Sequence, residues 1–108
     1  MIFEVMDPLG RRIRLIRERW ENHIVDEHPE LEGQEEKLKE TVENPDFIYK
    51  EDDVRIYYRI SEISLKRYHD LYIRAVIRLE SEHRGRVVTA HLRDKPTGRE
   101  IEWIRPRR

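Results

Sequence analysis

The sequence predicts an α+β domain: two N-terminal helices packed on an antiparallel meander of about four strands, preceded by a hairpin. Three observations carry this. Apolar residues recur at helical spacing only before Asn44. After it they alternate with period two in successive runs separated by turn residues. The chain has 108 residues, enough for one core and too few for two.

The elements follow in order. Ile2, Val5 and Met6, then Ile13 and Leu15, flank Asp7-Pro8-Leu9-Gly10, a turn between two short strands at a sheet edge. Ile16, Trp20, Ile24 and His28 fall at i, i+4, i+8 and i+12, which predicts an amphipathic helix over 17–28. Pro29 ends it, because the residue before proline avoids helical dihedrals. Leu31, Leu38 and Val42 line a second helix closed by Asn44-Pro45-Asp46. Phe47-Ile48-Tyr49 is a short strand, and residues 61–69 form a polar connection. Val54/Ile56/Tyr58/Ile60, Leu71/Ile73/Ala75/Ile77 and Val88/Ala90/Leu92 are expected to face inward. The opposite face then presents Arg55, Tyr57, Arg59, Tyr72, Arg74, Arg78, Val87, Thr89 and His91. Three segments result: a hairpin at 1–16, a core at 17–92 and a basic tail at 93–108. In that tail, Ile101, Trp103 and Ile104 offer a docking strand.

Composition narrows the chemistry. Charged residues make up 42% of the chain, yet the net charge is −1, so a folded domain with an ion-paired surface fits better than disorder. Residues 29–53 hold ten acids against three lysines, whereas 54–108 hold fourteen bases against seven acids. An Arg-rich C-terminal half thus faces an acidic middle segment. Without cysteine there is no disulfide and no thiolate chemistry. The first residues lack the basic and apolar regions of a secretion signal, and no apolar run reaches the roughly 20 residues that span a bilayer. The expectation is a cytoplasmic protein without membrane contact.

The sheet face of Arg, Tyr, Thr and His carries the functional argument. Guanidinium groups bind phosphate bidentately, tyrosines stack on unpaired bases, and histidine moves protons near neutral pH. RNA cleavage without a metal needs a base for the 2′-hydroxyl, an acid for the 5′-oxygen and cations for the developing charge. The plainer alternative is that these residues are ordinary cross-strand partners on a solvated face. No metal or other cofactor is expected, since His23 and His28 lie about 140° apart around a helix. His28 also suits a helix C-terminus, where the dipole favours an imidazolium.

Arg19-Trp20-Glu21-Asn22-His23-Ile24, then Glu27-His28-Pro29-Glu30-Leu31, Tyr57-Tyr58-Arg59 and Val88-Thr89-Ala90 form a pattern over residues 15–92. It resembles the phage- and prokaryote-associated (PBECR-type) branch of the barnase/EndoU/colicin/RelE-like nuclease superfamily. The resemblance implies a two-helix, four-strand fold and a toxin-like RNase activity without metal. Its matching positions are Arg19, Trp20, His23, His28, Pro29, Tyr58, Arg59 and Thr89, while His91 departs from the pattern. Taken with the sheet face, His23, His28, Arg59 and Thr89 are candidate catalytic groups. Arg19, Arg55, Tyr57, Arg74 and His91 are candidate substrate contacts. RNA is the expected partner, with a protein inhibitor or antitoxin alongside it. The alternatives are a non-catalytic module of the same fold and a homodimer that pairs through the hairpin edge or the tail.

Overall fold

Seven strands join one mixed sheet in a computed structural model that describes residues 1–64 and 69–107. They are β1 (Phe3–Met6), β2 (Arg12–Leu15), β3 (Phe47–Glu51), β4 (Val54–Ile60), β5 (Tyr72–Ser81), β6 (Arg84–Arg93) and β7 (Glu100–Ile104). Their order across the sheet is β1-β2-β6-β5-β4-β3-β7. Two helical segments interrupt the strand run. The first, α1, covers residues 17–27 and widens into a π turn at Trp20–Ile24. The second, α2, is Glu35–Glu43. A single 3₁₀ turn, Pro29–Leu31, lies between them.

This corrects the expected two-helix, four-strand meander of the barnase or RelE kind. The antiparallel run β3–β4–β5–β6 is present, but it is the middle of a larger sheet. β2 adds to β6 in parallel through Arg12–Arg84, Ile13–Gly85 and Arg14–Arg86, bringing the hairpin with it. At the other end β7 pairs antiparallel with β3. The reason lies in the short flanking runs: Phe3, Val5, Ile13 and Leu15 are all buried, so four-residue strands complete the core. The expected polar connection over 61–69 falls partly on residues outside those described.

The concave face holds the core. Ile13, Leu15, Ile73, Ala75, Ile77, Val87 and Ala90 meet Trp20 and Ile24 of α1, Leu31, and Leu38 and Val42 of α2. Burying each large apolar side chain contributes about 1.5–3 kcal/mol, and this interior is where the low overall hydrophobicity is concentrated. The sheet curls so far that its two ends touch. Arg11, in the β1–β2 turn, donates to Glu102 of β7 at 2.7 Å and to Tyr57 of β4 at 3.1 Å. Asp7 accepts from Tyr57 Oη, from Arg11 Nε at 2.8 Å and from the backbone N–H groups of Leu9 and Arg11. Arg55 completes the chain by donating to Glu102 at 2.8 Å. Gly10, with φ 82°, lets the turn close over this cluster.

β4 therefore has the opposite phase to the one expected. Tyr57 pairs with Ala75, Arg55 with Ile77 and Arg59 with Ile73, which places them on the concave side. Tyr58 and Ile56 lie on the convex side, beside Arg74 and Val76. Both tyrosines are fully buried, Tyr57 beneath the Asp7–Arg11 cluster and Tyr58 because the segment after β6 straps across the convex face. Tyr58 Oη donates to the Thr97 carbonyl at 2.8 Å, and a Cβ at Gly98 would stand 2.4 Å from the Tyr49 ring. Only glycine fits where that strap crosses. In β6 a bulge at Val88, opposite the step from Val76 to Ile77, also turns Val87, rather than Val88, into the core.

Candidate functional site

The convex face of β5 and β6 brings the chemistry-bearing residues together. Arg74 stands opposite His91, Val76 opposite Thr89 and Tyr72 opposite Arg93. β2 stops pairing with β6 at Arg86, and beyond that point the helical segment α1 packs against β6 instead. The helix then delivers His28 to the same place. Its last turn closes with His28 N–H donating to the Ile24 carbonyl at 2.8 Å, and Pro29 forces His28 out of helical dihedrals, to φ −132° and ψ 70°. The imidazole stacks on that of His91, with ring centroids 5.3 Å apart and planes 29° from parallel. Glu30 Oε1 is 3.6 Å from His28 Nδ1 and places a carboxylate beside the ring.

The electrostatics of this pair are set by cations. Burial, then Arg74, His28 and Arg93, lower the pKa of His91 to about 4, so it is a neutral imidazole with a free lone pair at pH 7. Arg74 is held in place by a neutral partner: its Nε donates to Tyr58 Oη at 3.1 Å. Tyr58 is itself fixed by the Thr97 carbonyl and by edge-on contacts with Tyr49 and Tyr72 at 5.7 and 6.3 Å between centroids. Most arginines here are ion-paired, for example Arg14 with Glu80, Arg59 with Glu40 and Arg105 with Asp46. Among the described residues Arg74 and Arg93 have no carboxylate partner. Two guanidinium groups without a carboxylate partner, beside two imidazoles and with Glu30 the neighbouring carboxylate, form a surface suited to an anion.

Other predicted site residues lie elsewhere. His23 is on α1, with its side chain 44% exposed and 3.3 Å from Glu18, away from the stacked pair. Arg59 ties β4 to α2 through Glu40 at 2.7 Å and the Asn44 carbonyl at 2.6 Å. Arg55 and Tyr57, expected on the open face, belong to the concave-side cluster with Asp7, Arg11 and Glu102. Burial and the Asp7 carboxylate push the Tyr57 phenol upward, so it stays a proton donor. Burial opposes the Glu102 charge, but the hydrogen bonds from Arg11 and Arg55 outweigh it and hold the carboxyl below its usual range. These residues hold the fold. Thr89 shares the convex face with His91, two positions along β6. Arg19 lines a separate cleft at the junction of β2 and α1.

Arg93 and Glu30 were not singled out from sequence. Arg93 follows His91 at the i+2 spacing that repeats a strand face, a signal hidden by its position in the supposed tail. Glu30, next to Pro29, is one of ten acids in the acidic middle segment. Among the described residues no group of three or more His, Asp or Glu side chains is arranged to hold a metal ion. No helix among them is long and apolar enough to cross a membrane. Comparison with family models, curated proteins and solved structures found no match for this chain.

Proposed function

We propose that the protein is a metal-independent endoribonuclease whose acid–base pair is His28 and His91. The observation that carries this reading is the stacking of two imidazoles from distant parts of the chain beside Arg74 and Arg93. His91, neutral at pH 7, accepts the proton of a ribose 2′-hydroxyl. The resulting oxygen attacks the adjacent phosphorus, and His28 protonates the departing 5′-oxygen. The products are a 2′,3′-cyclic phosphate and a 5′-hydroxyl, with no external reactant consumed. A phosphate between Arg74 and Arg93 adds negative charge next to His91 and raises its basicity, so binding itself tunes the base. Arg74 and Arg93 stabilise the charge that develops on the non-bridging oxygens. The resemblance to PBECR-type nuclease domains supports the same reaction class through His28 and Thr89, while His91 is this chain's own addition.

The test is cleavage of a mixed-sequence fluorescent RNA in EDTA. Wild type is expected to cut, and His28→Ala and His91→Ala each to lose roughly 10²–10⁴-fold. A folded wild type that leaves RNA intact overturns the proposal. A second reading, a homodimer formed through β7, is favoured by one observation. Ile101 and Ile104 on this edge strand are 50% and 52% exposed. Light scattering that gives a monomer mass excludes it.

A further inference from the structure

The convex face of β6 continues past the histidines. Arg86, opposite Arg78, lies on the same side as Thr89 and His91. There Arg14, Ile16, Arg19, Arg86 and Val87 line a cleft of about 280 Å³. The charges of its lining do not cancel, although Glu4, 3.9 Å from Arg12, also acts on Arg14 from across the hairpin. Glu80 is shared between Arg14 at 2.6 Å and Arg86 at 3.4 Å, and their hydrogen bonds keep its carboxyl ionised. Those three side chains carry one net positive charge. Arg19, which has no carboxylate partner among the described residues, adds a second. The wall is apolar: Ile16 is 45% exposed at the rim and Val87 is buried behind it.

A small cleft with an apolar wall and a cationic lining matches one nucleotide, with its ring against Ile16 and its phosphate on Arg19. We infer that this cleft is a second nucleotide subsite, engaging the same single-stranded chain whose scissile phosphate lies at His28 and His91. The inference rests on the nuclease reading, and it adds a requirement on substrate length. From Arg86 to His91, at about 3.3 Å per residue, the strand spans roughly 15 Å. A single strand stacked as in a duplex, rising about 3.4 Å per nucleotide, covers that distance with about four or five nucleotides. Dinucleotides reach one subsite only, and hexanucleotides reach both.

The test uses binding rather than cleavage. A fluorescein-labelled deoxyhexanucleotide and deoxydinucleotide lack the 2′-hydroxyl and cannot be cut by this route. Fluorescence anisotropy with the wild type is expected to show clearly tighter binding of the hexanucleotide. Arg19→Ala, a change at a surface helix position, is expected to weaken hexanucleotide binding roughly tenfold and leave the dinucleotide unchanged. It is also expected to flatten the salt dependence by about one phosphate contact, and Arg19→Lys to recover part of the affinity. Equal hexanucleotide affinity for wild type and Arg19→Ala overturns the subsite, as does equal wild-type affinity for the two lengths. The two readings fail separately. RNA cleavage in EDTA with Arg19-independent binding removes the subsite alone. Arg19-dependent binding without cleavage removes the nuclease reading and leaves a nucleic-acid binder with this cleft.

Discussion

Removing the carboxylate of Asp7 is the sharpest perturbation of the fold. Its side chain is completely buried and accepts four hydrogen bonds: from Tyr57 Oη, Arg11 Nε and the backbone N–H groups of Leu9 and Arg11. Asp7→Ala strands all four donors and leaves Arg11, whose side chain is 6% exposed, balanced by Glu102 alone. Breaking a buried pair by deleting one partner costs about 3–5 kcal/mol. Against a typical total stability of 5–15 kcal/mol, that is a large share. For a domain near this size each kcal/mol shifts Tm by about 4–8 °C, so a fall of roughly 12–40 °C is expected. Urea and thermal unfolding followed by far-UV circular dichroism measure it. Tyr57→Phe keeps the ring packing and removes one donor, so its cost should be smaller, about 1–2 kcal/mol. A loss below about 1 kcal/mol for Asp7→Ala would refute the claim that this cluster clasps the two ends of the sheet.

Four further outcomes follow from the geometry. His91 is expected to titrate near pH 4 by two-dimensional histidine NMR, and Arg74→Ala to move that midpoint upward by removing a neighbouring cation. The folded pKa of His91 lies below its unfolded value near 6.5, so the unfolded state binds more protons between these limits. Stability should therefore fall as pH drops from about 6.5 towards 4, and His91→Asn should flatten that slope. Glu102 is also depressed in the folded state, so its contribution is present above its ordinary range and lost on acidification through the folded pKa. Glu102→Gln should remove this acid sensitivity in urea midpoints measured from pH 5 downward. Gly85→Ala places a Cβ 2.9 Å from Ile77 Cγ2 and 3.1 Å from Ile13 Cδ1, and should cost about 1–3 kcal/mol by overpacking, read from urea midpoints.

Particular residues explain what the sequence revealed and what it hid. Alternation in β5 is readable because Ile73, Ala75 and Ile77 face the core while Tyr72, Arg74 and Val76 remain part-exposed. Arg74 and His91 were found that way. β4 defeats the same logic. Arg55, Ile56, Tyr57 and Tyr58 are all buried, so no solvated face exists to fix the phase. The cover on the second face comes from residues 94–99, a segment with no hydrophobic signature of its own, anchored through a backbone carbonyl and a glycine. The bulge at Val88 reverses part of β6 with no Gly or Pro to announce it. The helix is shifted by its π turn, which spacing rules based on 3.6 residues per turn do not represent. The candidate site was half legible. His28 and His91 each stood out, but their meeting depends on β2 ending early and α1 taking its place along β6. His23 drew equal attention and lies apart.

The meeting of the β1–β2 turn with β7 has a kinetic consequence. Arg11 and Glu102 are separated by 91 positions, and Tyr57 and Asp7 by 50. Long-range contacts of this kind form late, because the entropy cost of closing the loop precedes the stabilisation it brings. The antiparallel run β3–β6 needs only neighbouring segments and can assemble first. The hairpin's buried Asp7 and Arg11 have no complete set of partners until β4 and β7 are in place. Closure of this cluster is therefore gated by the docking of β7. Until then Arg11 and Asp7 sit at an unfinished core without the partners that offset their burial, so a partly folded state lacking β7 is disfavoured.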